Sequence, residues 1–580
     1  MIAAAPRPTG PVLVLDADQA SALAIVRSLG CQGVVVQVAS DQVSPLASHS
    51  RHVARTLRYP DPLREESAFV DWLVQYLAQS PAALVIPVTE RTLVPLMRQR
   101  HRFDDRRMAM APTDALEQVL DKDRTLQLAQ RLGVPVPRSV TVTSIDDLDA
   151  ALAVIGYPVV VKPSRSVGQD AGQRVQMSVS YAHSAAELRA QVQHALRHGG
   201  VILQEYFRGD GVGVELIADH GEIRHAFQHR RLHEVPLTGG GSSLRVSEAV
   251  VPALHDAADR LMRALRWHGV AMVEFKYAAA TGEFRLMEIN GRFWGSLPLA
   301  VAAGADFPAM LHELMTQGAV SQRPPARQGV LCRHMAREIL WLEHVLRKAA
   351  PPGLVVLPSL RDVLRDCLLV FSGRHHFDVQ AWRDPLPGLV DITRILRLQW
   401  QRVHAALSYK VRLARAWRSA RQTAASTRRA QAAQHVLFLC YGNINRSALA
   451  HAYAQCRHAG VGSFQSAGFH AVDKRSADPV MVDEAAARGV DLARWQSQTL
   501  QDDMVRRADA ILVMELAHLE RVVREHPQAR GKTFLLGAPA ASAMHQAEVP
   551  DPYGKPRAEY ARVCNQVLAS VDAWFKAGRS

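Results

Sequence analysis

The chain opens with an apolar run at Val12 to Leu15, passes through a stretch of helical spacing, and reaches a second apolar run at Val34 to Val38. A third run lies around Val85 in "AALVIPVTERTL". Unbroken apolar runs separated by helical segments predict parallel strands buried on both faces, so residues 1 to about 115 read as a small doubly wound α/β unit. The segment "DALEQVLDKDRTLQLAQRLGVPVPRS" predicts a helix stopped by Gly133 and two prolines, and it opens a second unit. The strands predicted there run Val159 to Lys162, Val201 to Gln204, Ala271 to Lys276 and Phe284 to Glu288. Residues 326–391 mix helical spacing with proline-rich breaks and are the least legible part. Beyond them Val403, Leu407, Val411, Ala414 and Trp417 recur at helical spacing, then "RQTAASTRRAQAAQ" reads as a linker and a fresh strand begins at His435. The pattern divides the chain into 1–115, 116–325, 326–433 and 434–580, an α/β multidomain organisation with no internal repeat of fixed period.

A length of 580 residues suits this division, because single cores rarely grow past about 250–300 residues. With 48% hydrophobic and 21% charged residues, most of the chain has enough apolar surface to fold. The six cysteines are scattered with no CxxC pair, which argues against a disulfide framework or a structural zinc site and for a reducing, cytoplasmic compartment. No basic segment leads into a long apolar stretch at the N-terminus, and no window is apolar enough to span a membrane, so the expectation is a chain neither secreted nor spanning.

The net charge of +14 changes the picture only through its location. From Ile392 to Val472 there is no Asp or Glu, while Arg394, Arg397, Arg402, Lys410, Arg412, Arg415, Arg418 and Arg421 fall in the same window. The segment 401–421 therefore reads as an amphipathic basic helix. The first reading is a linker helix docked on its own domains. The second is peripheral contact with an anionic membrane. RNA comes third, because no aromatic-rich nucleic-acid module accompanies the charge, and no nucleic-acid partner is expected.

The most specific chemistry lies in "HVLFLCYGNINRSALA". A strand delivers Cys440 to a loop, and "SALAHAYAQC" continues as a helix after Arg446. Backbone N–H groups and a helix N-terminus then converge on one spot, a cradle for a tetrahedral oxyanion whose positive field favours the thiolate. Arg446 offers a planar fork for two phosphoryl oxygens. Attack of Cys440 on a phosphomonoester gives a phosphocysteine that water then cleaves. The acid this needs is offered by "EVPDPYGK", where Asp551 lies between two prolines and Tyr553 stands ready to flank an aromatic leaving group.

From His435 to about Ala577 the chain resembles the low-molecular-weight protein tyrosine phosphatase family, through "VLFLCYGNINRSALA", "SAGFHAV", "ADAILVMELAH", "LLG" and "PDPYGK". The resemblance implies a doubly wound parallel sheet, no cofactor, Cys440 as nucleophile, Arg446 on the phosphoryl oxygens and Asp551 as general acid and then base. It adds Ser447 as hydroxyl donor to the thiolate and Asn443 as the residue holding the loop's turn. Ile444 matches the tyrosine-directed branch. Two positions depart from the family: Asn445 stands where a second cysteine is common, which leaves its reversible disulfide without a partner here, and Ala448 replaces the usual proline.

In the first half, "GYPVVVKPSRSVGQDAGQRV" puts Lys162 at the end of a strand before a Gly/Ser loop containing Gly168, a phosphate-binding pattern. "AMVEFKYAAATGEFRLMEINGRFWGS" puts Glu274 and Glu288 on strands with Asn290 and Arg292 following. Two carboxylates and an amide oxygen suit Mg²⁺ bridging phosphates, and Arg292 suits charge on a transferring phosphoryl group. As a set these resemble the ATP-grasp superfamily, in the branch of carbamoyl-phosphate synthase and carboxylate–amine ligases. The resemblance covers residues from Gly10 to about Pro325, with "WRDPLP" extending it. It implies a pre-ATP-grasp α/β unit followed by α+β ATP-binding subdomains, with Lys122 and Lys162 on the phosphates, Glu205 near adenine and ribose, and Glu274, Glu288 and Asn290 on metal. The reaction it implies activates a small carboxylate as an acyl phosphate for attack by an amine. Arg230, Arg231 and Arg245 suit an anionic substrate, or stand in a solvated loop.

The expectation for the whole is a bifunctional cytoplasmic enzyme, an ATP- and Mg²⁺-dependent ligase joined to a cysteine-dependent phosphatase acting on phosphotyrosine protein or a small phosphomonoester. One alternative is a phosphotyrosine-protein phosphatase controlling polysaccharide export whose first half has a separate product, and another is a phosphotyrosine-protein phosphatase whose first half is a regulatory or scaffold ATP-binding module.

Overall fold

The computed structural model describes residues 10–575 apart from 81–82, 164–166, 171–172, 177–178, 197–199, 351–352, 431–434 and 471–472. It divides into two compact units, Met1–Leu396 and Arg397–Ser580.

The first unit begins with a four-stranded parallel sheet in the order Val53–Arg58, Val36–Ser40, Val12–Val14, Leu84–Ile86. The central strand Val12–Val14 is fully buried, as its unbroken apolar run requires. Val53–Arg58 is the strand the apolar pattern misses, because it is an edge strand that reads "VARTLR" and its residues are mostly exposed. A second four-stranded sheet orders Ser139–Val142, Val201–Glu205, Val159–Pro163 and Ser180–Ala182. A seven-stranded sheet follows, running Glu283–Asn290, Gly269–Ala278, Asp210–Asp219, Glu222–Val235, Gly241–Glu248, Leu331–Arg333, His375–Phe377. Its neighbours are antiparallel except the last pair.

Residues 326–391 contribute the last two of those strands and two buried acids. Asp384 accepts from Arg27 Nε at 2.9 Å, Ser50 Oγ at 2.7 Å and the Arg51 N–H at 3.0 Å. Asp378 pairs with Arg245, which is 2% exposed, and accepts from Cys332 Sγ at 3.0 Å. Asp384 is held by Arg27, Ser50 and Arg51 and Asp378 by Arg245, all distant in sequence, which ties this stretch onto the unit.

In the second unit a parallel sheet is ordered Ser463–Gly468, His435–Cys440, Ala510–Val513, Thr533–Leu535. The helices Arg446–Arg457, Pro479–Ala486, Leu516–Glu525 and Arg557–Phe575 accompany it. The basic helix is longer than its pattern predicts, running Pro385–Ala430, and the alanine-rich stretch read as a linker continues it to Ala430. Its buried face in this unit is Leu413, Ala420 and Ala424, whereas Val403, Leu407 and Val411 are exposed. The docked face combines the large Leu413 and Trp417 with Ala416, Ala420 and Ala424. No described helix is long and apolar enough to cross a membrane.

Removing Asp378 as Asp378→Ala leaves the Arg245 guanidinium buried without its counter-charge. The expected cost to the first unit is about 3–5 kcal/mol, read as a lower midpoint for its transition in differential scanning calorimetry.

Candidate active sites

In the second unit Cys440 ends a strand held between parallel neighbours and is 2% exposed. Between it and the helix at Arg446 the chain turns at Asn443, whose φ of 51° lies in the left-handed region that asparagine tolerates better than most residues. Asn443 is fully buried, and its polar atoms are all used. Its Nδ2 donates to Ser447 Oγ and Ser466 Oγ, both at 2.9 Å, and its Oδ1 accepts from the Gln498 N–H at 3.0 Å. Its carbonyl accepts from Trp495 Nε1 at 2.8 Å. The backbone N–H points at Cys440 Sγ, 3.2 Å away. Ser447 Oγ lies 2.9 Å from the same sulfur. That oxygen accepts from Asn443, and its O–H can donate to Sγ when the sulfur is a thiolate. Gly468 is needed here, since a Cβ would fall 2.9 Å from the Tyr441 carbonyl and 3.0 Å from the Asn443 nitrogen.

The Arg446 guanidinium, 1% exposed, donates to the Val549 carbonyl at 2.9 Å and Asp551 Oδ2 at 2.7 Å, and pairs with Glu515. Cys440, Tyr441, Ile444, Arg446, His470, Arg475, Asp551 and Tyr553 line a cavity of about 130 Å³. The residues predicted as nucleophile, phosphoryl-binding fork and acid therefore share one small pocket. Arg475 lies over the Tyr553 ring at 5.6 Å and donates to its hydroxyl at 3.2 Å, which holds the aromatic wall. Asn445 is buried, and Cys440 is a free thiol. Sequence reading missed the roles of Glu515 and His518, though both stand inside "ADAILVMELAH". Burial lowers the His518 imidazole to about 4, with Arg446 acting in the same direction and Glu515 against it, so it stays neutral beside the pair.

The segment carrying the acid is fixed from two sides. Glu548 Oε1 accepts from the Leu516 N–H at 2.8 Å, and its other oxygen accepts from the Tyr409 hydroxyl on the long helix. That helix is further held by Arg412 Nε on Glu520 Oε1 at 2.7 Å. Tyr409 thus holds Glu548, three residues before Asp551.

The first unit has a cavity of about 770 Å³. Register places Glu274 opposite Glu288 on adjacent strands. Asn290 Nδ2 donates to Glu274 Oε1 at 3.1 Å and to Glu288 Oε1 at 3.4 Å. Its amide hydrogens stand between two carboxylates, the position a hard cation would take. The donor set fits Mg²⁺ once the amide turns its oxygen inward. Arg231 Nη2 pairs with Glu274 Oε2 at 2.5 Å, and Lys122 Nζ with Glu288 Oε2 at 3.0 Å. Burial raises the Glu274 carboxyl, Arg231 opposing and the Glu288 charge adding to it. Burial acts the same way on Glu288, but Lys122 and the Asn290 amide outweigh it and hold that carboxyl below the usual range. Lys162 Nζ donates to Gln204 Oε1 at 2.6 Å. Burial, with Lys122 adding, brings its ammonium down to about 8.

The other predicted residues fall as follows. Arg292 lines the cavity and is anchored by Glu90 at 3.1 Å. Glu205 also lines it, bridging Arg138 at 2.5 Å and Arg285 at 3.2 Å. Gly168 lies in the strand Val167–Asp170, and its relation to the cavity falls outside the described residues. Arg230 is not part of the wall: it turns to Glu248 at 2.7 Å and Asp210 at 3.4 Å. Neighbouring strand residues face opposite sides, so Arg231 takes the cavity and Arg230 cannot. Arg245 reaches the wall but is bound to Asp378. Arg337 was not foreseen. It enters beside the glycine run, where a Cβ on Gly241 would fall 1.8 Å from its Nη1, so "GGG" was the available signal.

Tyr409→Phe frees one side of Glu548 without touching Cys440 or Arg446. Hydrolysis of phenyl phosphate, whose poor leaving group needs protonation, is expected to fall about tenfold, part of the roughly 10²–10⁴ that a general acid supplies. Hydrolysis of p-nitrophenyl phosphate is expected to fall much less, and stopped-flow comparison of the two substrates checks it.

Comparison with known proteins follows the same division. Residues 435–579 match the family model for low molecular weight phosphotyrosine protein phosphatase, and residues 198–338 match "ATP-grasp in the biosynthetic pathway with Ter operon". The probable low molecular weight protein-tyrosine-phosphatase EpsP of Ralstonia nicotianae is 36% identical over 139 residues, covering 24% of this chain and 92% of that protein. Etp of Escherichia coli, a low molecular weight protein-tyrosine-phosphatase, is 36% identical over 141 residues, covering 24% of this chain and 92% of its own length. Among solved structures, N5-carboxyaminoimidazole synthetase of Staphylococcus aureus is 13% identical with a TM-score of 0.47, covering 63% of this chain and 98% of that one. The ATP-grasp match implies binding of ATP and a divalent metal. Through residues 435–579 the chain belongs to the low molecular weight phosphotyrosine protein phosphatase family, and it joins that domain to a part whose residues 198–338 match an ATP-grasp family model.

Proposed function

We propose that the second unit hydrolyses phosphotyrosine by a phosphocysteine route. Cys440 Sγ attacks phosphorus while Asp551 delivers its proton to the departing phenol oxygen, so the S–P bond forms as the O–P bond breaks. Arg446 gathers the equatorial oxygens, and the Asn443 N–H with the Ser447 hydroxyl holds the sulfur as it leaves in the second step. There Asp551, now a carboxylate, takes a proton from water that attacks phosphorus and releases inorganic phosphate. The observation that carries this reading is the convergence of Cys440, Arg446 and Asp551 on one cavity. Exposed Tyr441 and Tyr553 rings at its mouth favour an aryl ester over a small aliphatic phosphate. The relatives' names as protein-tyrosine-phosphatases support the same substrate class. Cys440→Ser is expected to reduce release of phosphate from a phosphotyrosine peptide by more than about 10³-fold, since the sulfur is the attacking atom. Undiminished turnover in a malachite-green assay contradicts the assignment, and faster turnover of small aliphatic phosphates than of the peptide contradicts the substrate class.

For the first unit the reading is a ligase that activates a small carboxylate as an acyl phosphate, which an amine then displaces. ATP supplies the phosphoryl group and Mg²⁺ neutralises its charge. Glu274, Glu288 and Asn290 would hold the metal, and Lys122 and Lys162 the phosphates. Arg231 and Arg337 face the cavity where an anionic substrate would lie, and Arg292 stands at its rim for the transferred group. Lys162 carries its proton below about pH 8 and loses it above, so its hold on phosphate weakens as pH rises. The KM for ATP in an ADP-release assay is expected to rise above that pH, and Lys162→Arg is expected to flatten the rise because guanidinium keeps its proton.

A further inference from the structure

The helix Pro385–Ala430 presents two different surfaces in the second unit. Leu413, Ala420 and Ala424 are buried in the core, with Ala416 and Trp417 packed against it. Trp400, Val403, Leu407 and Val411 follow one another at spacings of three and four, which puts them on one stripe of the helix. That stripe is open to solvent: Trp400 is 70% exposed, Val403 52%, Leu407 57% and Val411 49%. Lone apolar residues on a surface are ordinary, but a row of leucine, valine and tryptophan over successive turns marks a docking face.

The charge beside the stripe identifies what docks. Arg397, Lys410, Arg415 and Arg418 are exposed on the same turns, and no Asp or Glu occurs between Ile392 and Val472. A second copy laid stripe to stripe would set cation against cation in any register of this acid-free window, which opposes pairing. An anionic lipid surface satisfies both features. Its headgroup phosphates take the cations, and its acyl boundary takes the leucines, valines and the interfacial tryptophan. Long basic side chains can lay their methylene stems along the apolar boundary while the charge stays with the phosphates.

We propose that this helix lies in the plane of an anionic lipid surface, with Trp400, Val403, Leu407 and Val411 inserted and Arg397, Lys410, Arg415 and Arg418 on the headgroups. The inserted stripe keeps Val403, Leu407 and Val411 of the sequence pattern and adds Trp400 upstream of residue 401, whereas Trp417 is turned to the core. The proposal is independent of which substrates the two active sites accept.

Flotation of the full chain with vesicles tests it, using equal parts phosphatidylcholine and phosphatidylglycerol against phosphatidylcholine alone. The full chain is expected to float with the anionic vesicles, to stay behind with the neutral ones, and to be released by high salt. The double variant Trp400→Ser with Leu407→Ser is expected to lose at least about tenfold in vesicle affinity while hydrolysing p-nitrophenyl phosphate at the parent rate. Should that variant lose activity through misfolding, Arg397→Glu with Arg415→Glu reads the same question from exposed positions alone. Failure of the parent chain to float with anionic vesicles overturns the proposal, as does undiminished binding by both variants. A parent dimer that the serine variant dissolves also overturns it, because the stripe is then covered by a second copy.

Discussion

A guanidinium buried at 1% exposure has to be surrounded by acceptors, and in the second unit those acceptors fix the catalytic geometry. Arg446 starts one helix, Glu515 precedes another, and Val549 and Asp551 belong to a loop far along the chain. Meeting around one charge, these segments hold the phosphoryl-binding fork and the acid in a shared frame. The loop between Cys440 and Arg446 is fixed by the same demand for satisfied polar groups, with Asn443 serving sulfur-side and scaffold-side partners at once. The active site is therefore held by these buried polar contacts together with its apolar core.

The first unit applies the rule to a larger site. Its two partly buried carboxylates are each matched by a cation, Arg231 for Glu274 and Lys122 for Glu288, and both touch one amide. A frame of balanced charges can take up a metal and a polyphosphate by exchanging partners, without leaving any group uncompensated during the exchange. The low affinity of Lys162 for its proton has the same origin: burial beside another cation makes the charge costly until an anion arrives.

Much of this was legible from the residues. Buried parallel strands are written as unbroken apolar runs, so Val12–Val14 and His435–Cys440 could be found directly. Cys440, Arg446 and Asp551 could be named because the chemistry they share demands those residue types. What stayed hidden depends on facing direction and long-range pairing. Arg230 and Arg231 are indistinguishable in sequence, and only strand alternation against the neighbouring strands turns one inward. The short strand His375–Phe377 has no pattern long enough to read and exists because Leu331–Arg333 offers it an edge. Tyr409 looks like one more residue of a basic helix until Glu548 is seen to accept its hydroxyl. The apolar stripe of that helix was visible, but its exposure was not, since the opposite side, with Leu413, Trp417, Ala420 and Ala424, makes the contact with the core.

The central claim is that Cys440 carries the phosphoryl group between the two chemical steps, within the frame set by Arg446. Acid quenching of the full chain during turnover of a phosphotyrosine peptide, followed by proteolysis and mass spectrometry, examines that directly. The account requires the peptide containing Cys440 to carry one phosphoryl group on sulfur, at a level that rises when Asp551 is replaced by Asn and a good leaving group is used. Steady turnover with that peptide unmodified, or with phosphate on another residue, would contradict it.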